Sequence, residues 1–280
     1  MKKVVLLLLL CSITFSAGAG IMIHPKYLFL DDKTKSEKVT LINSSALESA
    51  NYRVTLSYKK QNPDGSYTEV PTEEMPADSV TQLLRYSPRS VLLKPSQSQT
   101  IRVLKRIPEG LEPGEYVGYI TFTEVLLEKA VTKEELAPGA FSVKITPIPA
   151  FSIPIFVRYK VHENAPVTLE TNGLLVKDND VYLRVIMNRQ PQEKRTSARG
   201  DLTVWDGNDM IGSIKGRYML PATEKLETLI PLRSRLSANN GGKPISEKKL
   251  KGKTLKVLFT QADDEEVQKN KVLAQTEVKL

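Results

Sequence analysis

The residues able to do chemistry are few and scattered. Two histidines occur, His24 and His162, far apart along the chain. No histidine–cysteine grouping has zinc-ligand spacing. No glycine-rich loop suits a phosphate, and no G-x-S-x-G elbow is present. The acidic pairs Asp31-Asp32, Glu73-Glu74 and Glu134-Glu135, and the run Asp263–Glu266, all fall in polar, turn-like stretches. Carboxylates in such settings read as solvated surface. Trp205 lies in an alternating strand and reads as packing. No cofactor, metal or catalytic residue is expected, and an enzyme is not the reading. What remains is individual basic residues, most of which read as solvated side chains. Lys26 lies in the first strand, Arg89 follows Ser87-Pro88, and Arg102 faces away from Ile101 and Val103. Arg158 differs from these, because Val157 and Tyr159 flank it. A half-buried guanidinium needs a carboxylate partner, and Glu115 is a candidate.

One stretch organises the elements that would position these groups. From Phe141 to Val161 every odd position is apolar: Phe141, Val143, Ile145, Pro147, Pro149, Phe151, Ile153, Ile155, Val157, Tyr159 and Val161. A period of two argues strand. The alternation outruns the usual strand of about 5–6 residues. It also carries Pro147, Pro149 and Pro154, which cannot donate to a ladder and belong at an edge or a bulge. Pro154 has the opposite strand parity to the other two, so the unpaired side is expected to change along the stretch. Two ordinary strands run together across a domain boundary would give this pattern. So would a long apolar edge, which invites pairing with another chain.

Composition narrows the compartment. The chain opens with Lys2 and Lys3, an apolar run from Val4 to Leu10, and the small residues Ala17-Gly18-Ala19. This is the pattern of a secretory signal over residues 1–19, with a mature start at Gly20. Cys11 lies within it and follows Leu10, so no lipid attachment is expected. No other apolar run could span a bilayer. The mature chain is then exported, soluble and without cysteine. The net charge of +8 becomes +6 without Lys2 and Lys3. The basic residues are spread out, which disfavours nucleic acid and suits acidic partners.

Short alternating runs broken by turn residues fill the rest. Strands are expected at Ile21–Leu30, Lys38–Asn43, Tyr52–Tyr58, Val80–Tyr86, Ser90–Leu93, Gln99–Leu104 and Glu115–Glu124. Asn62-Pro63-Asp64-Gly65 is a turn signal. Glu128–Pro138 is loop-like, with a helical turn at Lys133–Leu136. A linker at His162–Pro166 precedes strands at Val167–Thr171, Leu174–Lys177, Val181–Met187, Ser197–Asp206, Met210–Tyr218, Leu226–Pro231, Thr254–Thr260 and Val272–Leu280. The spacing predicts an all-β chain of two tandem β-sandwiches, residues 20–162 and 163–280.

The order of these segments resembles a family. His24-Pro25-Lys26 leads to Lys38-Val39-Thr40-Leu41-Ile42-Asn43. Then come Ser87-Pro88-Arg89-Ser90-Val91-Leu92-Leu93-Lys94-Pro95 and Gln99-Thr100-Ile101-Arg102-Val103. Pro113-Gly114-Glu115-Tyr116 and Ser152-Ile153-Pro154-Ile155-Phe156-Val157-Arg158 complete the set. Residues 21–162 thereby resemble the PapD-like periplasmic pilus chaperones; the remainder does so in outline. The resemblance implies an L-shaped pair of immunoglobulin-like domains that binds pilin subunits in the periplasm and delivers them to an outer-membrane usher. It implies that an edge strand is lent to a pilin lacking its own last strand, a form of β-augmentation. By phase, Phe141, Val143 and Ile145 would enter the pilin groove, with Ile148 next. It also implies an interdomain ion pair of Arg158 with Glu115. The family's carboxylate-holding arginine and lysine align here with Tyr27 and Pro154, as in a divergent or archaic branch. The anchor is then expected elsewhere, at Arg102, Arg89 or Lys26. The competing reading is an exported two-domain adhesin or carbohydrate-binding protein. That would need an exposed aromatic platform, yet aromatics are 6% of the chain and mostly in strand phase. A pilin, a single sandwich short of a strand, fits two full sets of strands poorly.

Overall fold

The computed structural model describes residues 20–76, 79–126, 147–192, 195–234, 242–261 and 271–280. Ten strands form the first half: β1 (Ile21–His24), β2 (Leu28–Leu30), β3 (Ser36–Asn43), β4 (Ala50–Gln61), β5 (Tyr67–Val70), β6 (Leu84–Ser87), β7 (Ser90–Leu93), β8 (Ser98–Lys105), β9 (Gly114–Glu124) and β10 (Ala150–Tyr159). They make two sheets, β1-β3-β8-β6 and β2-β10-β9-β4-β5, with β7 also pairing β4. Period-two burial explains the packing. Val39 and Leu41 of β3, Ile101 and Val103 of β8, and Ile153, Ile155 and Val157 of β10 turn into one core with Val54, Ile120 and Phe122. Burying each such side chain fully is worth about 1.5–3 kcal/mol.

The second half holds β11 (Val167–Lys177), β12 (Asp180–Arg189), β13 (Ala198–Asp206), β14 (Asp209–Met219), β15 (Lys225–Pro231), β16 (Arg233–Ser234), β17 (Lys243–Pro244), the single turn α1 (Glu247–Leu250), β18 (Thr254–Thr260) and β19 (Val272–Lys279). Its sheets run β11-β12-β15 and β14-β13-β18-β19, with a small β16-β17 ribbon. A separate core fills the space between them, built on Leu183, Val185, Leu202, Val204, Val257 and Phe259. The fold is thus all-β, with two sandwich cores in tandem.

Four elements depart from the sequence reading. Ile21–Leu30 is two strands rather than one: the chain breaks at Pro25 and passes from the β1 sheet to the β2 sheet. Val80–Tyr86 begins as a 3-10 turn over Val80–Gln82, because the Ser79 hydroxyl accepts from the Thr81 N–H. The runs Val167–Thr171 and Leu174–Lys177 are one strand, interrupted by a bulge where Gly173 takes φ +69°. Of the long alternating stretch, Pro147, Ile148 and Pro149 lie outside any strand, and β10 starts at Ala150. The helical turn expected at Lys133–Leu136 lies outside the described residues.

Gly118 shows how tightly β9 is packed. A Cβ there would stand 2.5 Å from Val80 Cγ2 and 3.0 Å from the Ser57 carbonyl oxygen. Val80 is fully buried, and the carbonyl belongs to β4, so neither can yield freely. Gly118→Ala is expected to cost about 1–3 kcal/mol, as overpacking does. A shift of the denaturant midpoint checks this; an unchanged midpoint would show that the sheet gives way.

Candidate functional site at the edge of β10 and the domain junction

β10 is paired unequally on its two sides. It runs antiparallel to β9 over its whole length, from Ala150↔Thr123 to Tyr159↔Gly114. On the other side β2 meets it, in parallel, only at Ile155, Phe156 and Val157. Residues 150–154 therefore form an open edge among the described residues. The Glu124 N–H donates to the Pro149 carbonyl at 3.0 Å, which fixes the parity. Odd residues turn their backbone groups to β9, and even residues turn theirs outward. The N–H that Pro149 lacks would have faced β9; the one that Pro154 lacks would have faced the open side. The unpaired side does change along the stretch. The open edge offers the N–H and C=O of Ala150 and Ser152, and only a carbonyl at Pro154.

Apolar side chains gather where this edge begins. Ile148 is 56% exposed, Phe151 40% and Leu126 43%. Phe151 has core parity but lies past the end of the core. Phe141, Val143 and Ile145 lie outside the described residues.

A polar row crosses the same sheet on its outward face. The Ser152 and Thr121 hydroxyls are 2.8 Å apart, and those of Thr121 and Ser57 are 3.2 Å apart. Lys59 Nζ donates to Ser152 Oγ at 3.1 Å and lies 5.5 Å from the centre of the Tyr119 ring. Tyr67 packs edge-on to Tyr119, with ring centroids 5.9 Å apart. Burial, and then Tyr67 beside it, push the Tyr119 phenol far above its ordinary pKa, so it stays protonated. Lys59 is half-buried and fixed beside the open edge. The sequence reading missed it because the strand was ended at Tyr58, whereas β4 continues to Gln61. The turn Asn62-Pro63-Asp64-Gly65 was the signal for the longer strand.

The three expected anchors sit elsewhere. Arg102 is exposed on the outward face of β8, in the sheet that lacks β10. Arg89 precedes β7, and its guanidinium stands 5.7 Å from the Tyr86 ring centre. Neither β8 nor β7 adjoins β10. Lys26 is exposed in the turn between β1 and β2. Tyr27 beside it turns into the junction between the two halves, and Pro154 is half-buried in β10.

That junction is built from the far end of β10. Arg158 stands opposite Glu115 in register, and its Nε donates to Glu115 Oε2 at 2.6 Å. Both side chains are buried. Nη1 donates to the His162 carbonyl at 3.2 Å, and Nη2 to Asn164 Oδ1 at 2.6 Å. The second half completes the carboxylate's shell, since the Ser197 N–H donates to Glu115 Oε1 at 3.1 Å. Alongside, Phe156 stacks on Tyr218 with centroids 5.3 Å apart, and Tyr27 meets Tyr218 edge-on. The Arg199 guanidinium lies 4.9 Å from the Tyr27 ring centre and 5.3 Å from that of Phe29. Gln61 closes the other flank: its Nε2 donates to the Tyr218 carbonyl at 2.9 Å, and its Oε1 accepts from the Leu220 N–H at 3.0 Å. Apart from Arg158 and Glu115, sequence reasoning did not find this seam. Its polar members, Gln61, Ser197 and Arg199, carry no local pattern.

Among the described residues no group of three or more His, Cys, Asp or Glu is placed to hold a metal. No helix among them is long and apolar enough to cross a membrane.

No family model matches the sequence, and no curated protein matches it. Solved structures do. The YadV chaperone is 12% identical, with 93% of this chain and 99% of that one covered and a TM-score of 0.47. The CsuC–CsuE chaperone–tip adhesion subunit pre-assembly complex, from archaic chaperone-usher Csu pili of Acinetobacter baumannii, is 17% identical. It covers 75% of this chain and 90% of that one at a TM-score of 0.41. The CupB2 chaperone of Pseudomonas aeruginosa is 9% identical, covering 92% and 100% at a TM-score of 0.46.

Proposed function

We propose that this chain is a non-enzymatic periplasmic chaperone of a pilus assembly system. In this reading residues 1–19 direct export, residues 20–162 bind the pilin, and residues 163–280 form the second domain. The chaperone completes a pilin that lacks its last strand and passes it to an outer-membrane usher. The observation that carries the reading is the one-sided pairing of β10 over residues 150–154, directly after an apolar alternating segment. An edge of this kind adds main-chain hydrogen bonds to a partner strand, while alternate side chains fill its groove. Phe141, Val143 and Ile145 supply those side chains, with Ile148 at the exposed end. The chain as a binding protein also agrees with the absence of catalytic motifs in its sequence.

The anchor for the pilin's terminal carboxylate is Lys59 in this reading, ahead of Arg102, Arg89 and Lys26. Its ammonium is held at the open edge by Ser152, and the Thr121 and Ser57 hydroxyls extend the polar row. A charge-assisted hydrogen bond contributes about 1.5–3 kcal/mol. Lys59→Ala is expected to weaken capture of a pilin with a free C-terminus by roughly tenfold or more, and Arg102→Ala to leave it unchanged. A pilin with an amidated C-terminus should bind the parent weakly and ignore the Lys59 change. Equal losses on free and amidated pilin would remove Lys59 from this role. Co-expression with the neighbouring pilin tests the reading as a whole: an equimolar complex recovered from periplasm supports it. A chain that recovers no pilin, yet binds a glycan, favours the adhesin reading.

A further inference from the structure

The outward face of the β1-β3-β8-β6 sheet is basic. Along β8 the residues Arg102 and Leu104 point outward, and Arg106 continues the phase, its N–H donating to the Leu83 carbonyl at 2.7 Å. Lys38 of β3 stands directly opposite Arg102, and Arg85 of β6 directly opposite Leu104. All four cations are exposed, and none forms an ion pair among the described residues. The other side chains on this face are Met22, His24, Ser36, Thr40, Ile42, Ser87, Ser98 and Thr100, so no carboxylate stands on it. Like charges directly opposite one another on a sheet destabilise it. Lys38 facing Arg102 is therefore a cost that packing does not explain. The charge continues into a hollow of about 380 Å³ lined by Gln82, Arg85, Arg106, Ile107 and Pro108. Glu109 also lines it, and forms no ion pair with either arginine among the described residues.

We propose that this face docks an acidic segment of a partner protein, laid across β8 and β6 with a carboxylate in the hollow. Three observations choose a protein over other anions. Hydroxyls of Ser36, Thr40, Ser87 and Thr100 surround the cations and suit fixed carboxylates. Exposed apolar area is confined to Leu104 and, at the far corner, Met22, which is too little to enter a bilayer. No Phe, Tyr or Trp stands on the face to stack a base, and His24 is its one aromatic ring. β6 also ends its sheet, so backbone groups are open beside the hollow. The surface is separate from the edge of β10, and the proposal does not depend on pilin capture.

The test uses the full mature chain and a fluorescent hexaglutamate peptide, read by anisotropy at low and at physiological salt. The parent is expected to bind, and the Arg85→Glu/Arg102→Glu/Arg106→Glu variant to bind roughly tenfold more weakly or worse, the order that several exposed ion pairs carry together. A control with the same change in net charge, Lys177→Glu/Lys215→Glu/Lys256→Glu on the second half, should keep the parent affinity. If the reversed face fails to fold by circular dichroism, Arg102→Gln/Arg106→Gln replaces it, with a smaller loss in the same direction. Equal losses in the face and control variants overturn the proposal, as does a parent that ignores the peptide. Vesicles containing phosphatidylglycerol that bind the parent when the peptide does not would also overturn it, in favour of a lipid surface.

Discussion

Arg158→Ala is expected to lower stability by about 3–5 kcal/mol and to loosen the two halves of the molecule. Both results follow from what the guanidinium holds. It satisfies the buried Glu115 carboxylate from one side, while Ser197 of the second half satisfies it from the other. It also ties the linker, through the His162 carbonyl and Asn164. Removing it leaves a buried carboxylate with a backbone N–H as its remaining donor, and breaking such a pair costs about 3–5 kcal/mol. The pair itself contributes less than that, since desolvating both ions offsets most of their attraction. The Arg158→Met/Glu115→Gln double variant should therefore recover part of the lost stability. It should not recover the tie to Asn164, so its scattering profile stays expanded. A single variant that melts and scatters like the parent would show that the stacked Phe156, Tyr218 and Tyr27 hold the junction without the ions.

The sequence made the strands legible because each buries one face against a core. Val39 and Leu41, or Val54 and Tyr58, announce their strands by a period of two, and the structure buries them. Boundaries were harder where alternation runs through a change of sheet. Ile21, Ile23, Pro25, Tyr27 and Phe29 keep one parity across Ile21–Leu30, so the alternation does not mark the passage from one sheet to the other, and Pro25 itself was the local signal. Strand ends with polar side chains were also lost. Lys59 and Gln61 look like the start of a loop, yet Gln61 is buried because the second half supplies its partners. Arg158 was readable for the opposite reason: its neighbours Val157 and Tyr159 are apolar, so its charge needed an answer. Tyr218, Leu220 and Arg199 were not readable. They belong to one core by sequence and to the seam by docking, and periodicity reports only the former.

Under the proposed function, Ile145→Asp is expected to abolish pilin capture while leaving the chain folded. The argument rests on phase. Ile153, Ile155 and Val157 are odd residues buried in the chain's own core. Upstream the same parity continues in the sequence through Ile145, Val143 and Phe141. In the proposed function these residues fill the pilin's groove instead. An isoleucine transferred there contributes about 1.5–3 kcal/mol. An aspartate would have to bury a carboxylate unpaired or leave the groove, and the cost exceeds that gain several-fold, about 100-fold or more in affinity. In this reading residue 145 serves the pilin's core, so the chain's own melting midpoint should not move. Two companions separate the groove from the surface. Lys144→Asp has the opposite parity and makes a larger change of charge next to it in sequence; it should retain pilin. Ile148→Asp, at an exposed position of the other parity, should lose less than Ile145→Asp. If Ile145→Asp recovers pilin at the parent's yield, or Lys144→Asp fails equally, the lent strand is not in this phase, and the capture surface must be sought on the described edge at residues 150–154.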